Sequence, residues 1–281
     1  MKKLRPLLFF LFIFFDTNSQ VKYIHGGGTL DDWANLSKYK FENQKIINNP
    51  VDNLVVFMGN SITENWTYYR PDFFKKNSFL NRGISGQTTP QMLIRFKPDV
   101  INLNPESVVI LAGINDIAGN TGPMIISNIA ENIFSMAEIA KEYGVKVYIC
   151  SVLPAIDFPG APNLNLKPAQ KIIALNQILK KYCDNNNITY VDYYSKMNDG
   201  EGGLKVPDYT SANDLVHPNS AGYEVMESII LDVLHKKANK ENKDIFPSDY
   251  SDMSESFGLQ GLDDYVNHNH RAYKELIRLN G

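Results

Sequence analysis

Five short apolar runs, at 54–58, 78–83, 107–112, 146–151 and 188–192, recur along the chain, separated by longer stretches whose apolar residues fall at helical spacing. A run of five or six β-forming residues is too short for a buried helix and suits a strand covered on both faces. The longer stretches predict helices at about 63–75, 89–97, 123–143, 168–185 and 219–237. The pattern is clearest in the third, where Ile125, Ile129, Ile133, Met136, Ile139 and Ala140 share one face between Pro123 and Gly144. Strands that alternate with helices need crossover connections. The expected fold is therefore a three-layer α/β/α sandwich on a five-stranded, mainly parallel sheet.

In such a sheet ligands bind at the carboxyl ends of the strands, so the loops there are where chemistry is expected. Leu54 to Trp66 reads as a strand, a Gly59-Asn60 break and a helix opening at Ser61. A serine at that edge, beside free helix N-terminal N–H groups, is a candidate nucleophile; taken alone it reads better as a helix cap. Three further stretches fall at the same edge: Asn81 to Gly86 after the second strand, Ala112 to Asp116 after the third, and Asp214 to Asn219 before the last helix. His217 is of the type that takes the Ser61 proton, and Asp214, three residues earlier, can reach around a turn to its other ring nitrogen. Gly83 could present a backbone N–H and Asn115 a side-chain amide, which with the Ser61 N–H would give three donors to an oxyanion. Each residue has a plainer reading as a turn or cap residue; their joint occurrence in order along the chain favours acyl transfer.

These four stretches resemble the four blocks of the SGNH hydrolases, the GDSL-type lipases and esterases, over roughly residues 50 to 236. Within that superfamily the chain looks like the branch of platelet-activating factor acetylhydrolase subunits and bacterial secreted acylhydrolases. The resemblance implies Ser61 as nucleophile, His217 as base, Asp214 as its acid, and Ser61, Gly83 and Asn115 as oxyanion donors. It departs from the family where Asn60 replaces the aspartate of Gly-Asp-Ser. The α/β-hydrolase elbow does not fit, because Thr63 stands where that motif requires glycine.

Residues 1–19 resemble a secretory leader: Lys2, Lys3 and Arg5 precede an apolar run from Leu7 to Phe15 too short to span a bilayer. Its removal would take the net charge from −3 to about −5, which gives no electrostatic basis for nucleic-acid binding. The expectation is a secreted or periplasmic protein with no integral membrane span after leader removal. The two cysteines, Cys150 and Cys183, sit in apolar-periodic segments and read as buried thiols rather than a disulfide framework. Residues 20–52 read as a lead-in whose helix, from Leu30 to Lys45, would dock through Trp33, Leu36, Tyr39 and Phe41. Residues 53–237 read as the hydrolase domain and 238–281 as an extension without assigned role.

No cofactor is expected, and His268 and His270 lack the further ligands of a metal site. The sequence thus predicts a serine esterase acting on short-chain, above all acetyl, esters of a small molecule or glycan. The rivals are a carbohydrate-binding or scaffold module without activity, and a thioesterase, lysophospholipase-type or peptidoglycan O-acyl esterase.

Overall fold

The computed structural model describes residues 26–158 and 167–235. The expected leader and the extension from 238 with its histidine pair lie outside the described residues. Five strands form one all-parallel sheet: β1 (Val55–Gly59), β2 (Phe79–Gly83), β3 (Ser107–Leu111), β4 (Lys146–Cys150) and β5 (Thr189–Val191), in the order β2-β1-β3-β4-β5. Every residue of β1 and β3 is buried, which accounts for their unbroken apolar runs.

The chain steps outward from β1 to β2, then jumps back across β1 to β3 and continues the other way. Right-handed crossovers in those two directions put the connecting helices on opposite faces. On one side α2 (Ser61–Tyr69) packs against α3 (Pro71–Lys75) and α9 (Ser220–His235); on the other α4 (Thr89–Asp99), α6 (Ile126–Glu142) and α7 (Pro168–Asn186) lie side by side. The reversal leaves a crevice between the carboxyl ends of β1 and β3. Ser61 follows β1, and the short helix α5 (Ile114–Ile117), which carries Asn115, follows β3.

Three helix expectations are corrected. The predicted 63–75 helix begins at Ser61 and breaks between Tyr69 and Pro71, because a proline favours a helix start and disfavours helical backbone before it. The 123–143 helix begins only at Ile126. The lead-in helix is confined to α1 (Lys40–Asn48). Upstream of it, the Asp32 carboxylate accepts from the N–H groups of Leu36 and Ser37 at 2.7 and 2.9 Å, and Asn35 is left-handed at φ 55°. That local side-chain bonding holds a turn where the apolar spacing alone reads as helix. Nor do Trp33, Leu36 and Phe41 dock it; all three are exposed. Polar groups dock it instead: the Asn43 amide donates to Asp99 Oδ1 at 2.7 Å while its oxygen accepts twice from Arg82.

The core is continuous through the sheet, and at α2 it is aromatic. Trp66 stacks on Phe73 at 4.9 Å, and both meet Phe57 edge-on. Cys150 and Cys183 are buried free thiols. Among the described residues no helix is long and apolar enough to cross a membrane.

Candidate active site

Ser61 is the first residue of α2, where the chain turns sharply out of β1. Two close approaches shape that turn. A Cβ on Gly59 would fall 2.0 Å from Thr63 Oγ1 and 3.0 Å from the Leu111 carbonyl, so only glycine lets the helix start against β3. Asn60 caps the helix by accepting the Ile62 N–H at 3.0 Å. Its amide nitrogen is buried and has no partner among the described residues, so asparagine leaves a donor unsatisfied where an aspartate would place a second acceptor.

The Ser61 hydroxyl lies 2.8 Å from His217 Nε2, and His217 Nδ1 lies 2.8 and 3.1 Å from the two Asp214 oxygens. Residues 61 and 217, far apart in sequence, are brought together by a latch between α2 and α9. Tyr223 donates to the Ile62 carbonyl at 2.7 Å, and Glu227 accepts from Trp66 Nε1 at 3.2 Å and from Arg70 Nε and Nη2 at 3.0 and 2.9 Å. The Asp214 oxygen nearest the ring also accepts the backbone N–H of His217 at 2.9 Å, closing a tight turn. Burial pushes the Asp214 carboxyl up, but the His217 N–H, the ring and the Val216 N–H outweigh it and hold the group below its ordinary value. Asp214 is therefore an anion at neutral pH. It fixes the His217 Nδ1 proton and leaves Nε2 to accept from the serine hydroxyl. Such an arrangement can take a hydroxyl proton and return it.

The oxyanion side differs from expectation at one residue. The Gly83 N–H, which the spacing offered as a donor, is spent on Asn81 Oδ1 at 2.8 Å. Gly83 is glycine for packing: a Cβ there would lie 2.2 Å from the Glu64 nitrogen, so α2 could not close on β2. Three residues on, Gly86 has a left-handed φ of 80°, and its N–H has no partner among the described residues. Its carbonyl accepts from Asn120 at 3.0 Å, and the next carbonyl, of Gln87, accepts one amide hydrogen of Asn115 at 2.9 Å. Gly86 is thus held beside Asn115 with a donor to spare, and the Ser61 N–H is likewise without a partner among the described residues. Gly83, the glycine at the strand end, is the one the motif spacing favours. The signal for Gly86 was its place just ahead of a helix opening, where Thr88 N–H donates to the Gln91 side chain at 3.1 Å and the chain turns its amides outward.

Behind these donors lies a group that the sequence reading passed over. Asp116, 2% exposed, accepts from the Thr89 N–H at 2.9 and 3.1 Å and from the Thr89 hydroxyl at 2.6 Å, tying α5 to the start of α4. Burial pushes its carboxyl up to about 6, with the Thr89 bonds pulling the other way. No group of three or more His, Cys, Asp or Glu among the described residues is placed to hold a metal.

Residues 57–225 match the GDSL-like lipase/acylhydrolase family. A solved structure from Bacteroides fragilis, assigned as an acylhydrolase, is 48% identical, covering 73% of this chain and 98% of its own, with a TM-score of 0.69. An acetylxylan esterase from Geobacillus stearothermophilus shares the fold at 19% identity, covering 66% of this chain and 94% of its own, with a TM-score of 0.54. Among curated proteins, an uncharacterized lipoprotein of Bacillus subtilis, YqeF, is 25% identical over 156 residues, which is 50% of this chain and 64% of that protein. The chain thus spans somewhat less than two thirds of that relative.

Proposed function

This chain belongs to the GDSL-like lipase/acylhydrolase family, and on that premise we propose that it is an exported serine esterase that removes short acyl groups, acetyl above all, from hydroxyls of carbohydrate or a small molecule. The observation that carries the reading is the unbroken relay from Ser61 Oγ through His217 to Asp214, each step at 2.8 Å. Ser61 Oγ attacks the ester carbonyl as its proton passes to His217 Nε2. The carbonyl oxygen becomes an anion, met by the N–H groups of Ser61 and Gly86 and the second amide hydrogen of Asn115. The carbon–oxygen bond to the alcohol breaks, and the alcohol leaves with the proton from His217. Water then repeats the cycle on the acyl-serine, giving its proton to His217, and the acid is released with Ser61 restored.

Asp214 supports the imidazolium throughout by staying ionised. The partly exposed side chains around the oxyanion donors, Asn115, Asn120 and Thr121, are polar. Such a rim suits a small acyl group on a polar alcohol better than a lipid tail. Export is supported by the leader-like residues 1–19 and by the curated relative's being a lipoprotein.

The test is hydrolysis of p-nitrophenyl acetate by the purified protein beside Ser61→Ala and His217→Ala. Each variant should lose about a thousandfold or more of kcat/KM, and three equal activities would end the esterase reading. A p-nitrophenyl series from acetate to palmitate should peak at the short end; a maximum at long chains would replace the acetyl preference with a lipase.

A further inference from the structure

The family match starts at residue 57, yet the lead-in before it, residues 26–48, reaches under the oxyanion loop. Gln87 is where the two meet. It is the residue after Gly86, its side chain is fully buried, and it bonds in three directions. Its amide nitrogen donates to the Ala34 carbonyl at 2.7 Å, its side-chain oxygen accepts from Arg95 Nε, and its own carbonyl accepts the amide of Asn115 at 2.9 Å. The lead-in grips the neighbouring backbone as well. The Trp33 carbonyl accepts from Gln91 at 3.0 Å, Tyr39 donates to the Gly83 carbonyl, and Lys38 pairs with Glu64, whose other oxygen holds the Ser85 N–H at 2.6 Å. The segment from Gly83 to Gln91 is therefore bonded to the lead-in at both ends and in the middle.

We propose that Gln87 is a positioning residue that couples the lead-in to the two oxyanion donors Gly86 and Asn115, making residues 26–48 a working part of the esterase site. Donors stabilise a developing oxyanion only if they are fixed before the charge appears, and a small displacement removes much of the effect. Gly86 lies in a left-handed turn, and the Asn115 side chain must keep one hydrogen on the Gln87 carbonyl to aim the other at the substrate. Both constraints pass through the backbone of Gln87, and its side chain is anchored on Arg95 from one side and on the lead-in from the other. The inference rests on the esterase reading given above.

The experiment measures kcat and KM for p-nitrophenyl acetate with the full chain and three variants, beside Ser61→Ala as reference. Gln87→Met keeps the volume and removes both side-chain bonds. Gln87→Glu keeps an acceptor for Arg95 and loses the donor to Ala34. Asp32→Ala acts from the far end, since the half-buried Asp32 carboxylate shapes the turn that presents the Trp33 and Ala34 carbonyls, and it tests the coupling even where a fully buried substitution prevents folding. Gln87→Met should lower kcat about tenfold or more with KM within about twofold, Gln87→Glu should fall between it and the parent, and Asp32→Ala should lower kcat about threefold. A Gln87 that merely helps the chain fold would lower the thermal midpoint and leave kcat alone; folded variants with parental kcat would overturn the proposal. Loss of activity in Ser61→Ala beside that result condemns the coupling alone, whereas full activity in Ser61→Ala condemns the esterase reading itself.

Discussion

The two flanks of Ser61 are built in opposite ways. On the flank of His217 the working groups sit on a half-exposed turn: the side chains of His217 and Asp214 are 32% and 40% exposed, and the ring is held by its own turn and by the α2–α9 latch. On the flank of Gly86 and Asn115 the donors are backed by a buried polar lattice. Arg95, with no exposed side-chain surface, pairs with Asp99 at 3.0 Å and donates to the carbonyls of Gly59 and Arg82, both at 2.9 Å. The division follows from what each flank must do. A group that takes and returns a proton has to meet both the substrate and the attacking water, so it belongs at the open edge of the sheet. A group that only presents a dipole gains from rigidity and low dielectric. Loss of a group should therefore cost turnover with little stability on the exposed flank, and stability as well as turnover on the buried one, a separation that runs across the serine.

The largest expected effect tests that separation directly. Arg95→Met leaves the buried Asp99 carboxyl hydrogen-bonded through its side chain to Asn43 alone among the described residues, and takes a donor from two buried carbonyls and from the Gln87 side chain. It should cost about 3–5 kcal/mol in urea unfolding. Asp214→Asn, on the other flank, keeps an acceptor for the turn and should cost less than about 1 kcal/mol while lowering kcat by about three orders of magnitude. A small loss for Arg95→Met together with a large one for Asp214→Asn would reverse the comparison.

Next in size is a pH effect confined to the rigid flank. Asp116 titrates at about 6 in the folded chain, above the ordinary 3.8. Between those values the native state holds a proton that the unfolded chain has lost, so its contribution to stability is fully present below about pH 4 and lost as pH rises through about 6. The loss corresponds to about 3 kcal/mol. Asp116→Asn cannot titrate. The stability of the parent minus that of the variant should therefore fall by about that amount between pH 4 and pH 7.5 in denaturant titrations. A difference that stays flat with pH would mean that the Thr89 bonds keep Asp116 ionised throughout.

The same contrast explains what could be read from the chain. The strands were legible to within a residue or two because β1 and β3 are buried on both faces and must be apolar throughout. Ser61, His217 and Asp214 stood out because each is a reactive side chain placed at a turn after or before a regular element, and the structure brings the three together. The rigid flank was not legible. Nothing in the local pattern marks Arg82 or Arg95 for burial; contacts with Asn43 and Asp99 across the fold make them interior residues. Gly83 and Gly86 are equivalent by composition; what separates them is an N–H already taken by Asn81. The lead-in misled for a related reason, because apolar spacing from Leu30 onward carries no record of the Asp32 carboxylate that holds a turn there.

The smallest effect concerns strain on the exposed flank. Leu215, between Asp214 and His217, has a φ of 60°, a region that costs a β-carbon-bearing residue about 1–2 kcal/mol. Its neighbour Val216 packs on the core, whereas Leu215 is not among the side chains that do so, so little burial offsets that cost. Glycine would relieve it in the folded chain but adds freedom to the unfolded one, worth about 0.5–1 kcal/mol in the opposite sense. Leu215→Gly should therefore raise stability by about 0.5 kcal/mol, read as a small rise in the urea midpoint with unchanged m. Because the turn that aims His217 is also freed, kcat should fall by about twofold to fivefold at the same time. Stability up and turnover down would show this flank to be held by turn geometry. A loss of stability instead would mean that the Leu215 side chain contributes by packing, and the two flanks would then be more alike than the hydrogen bonds around them suggest.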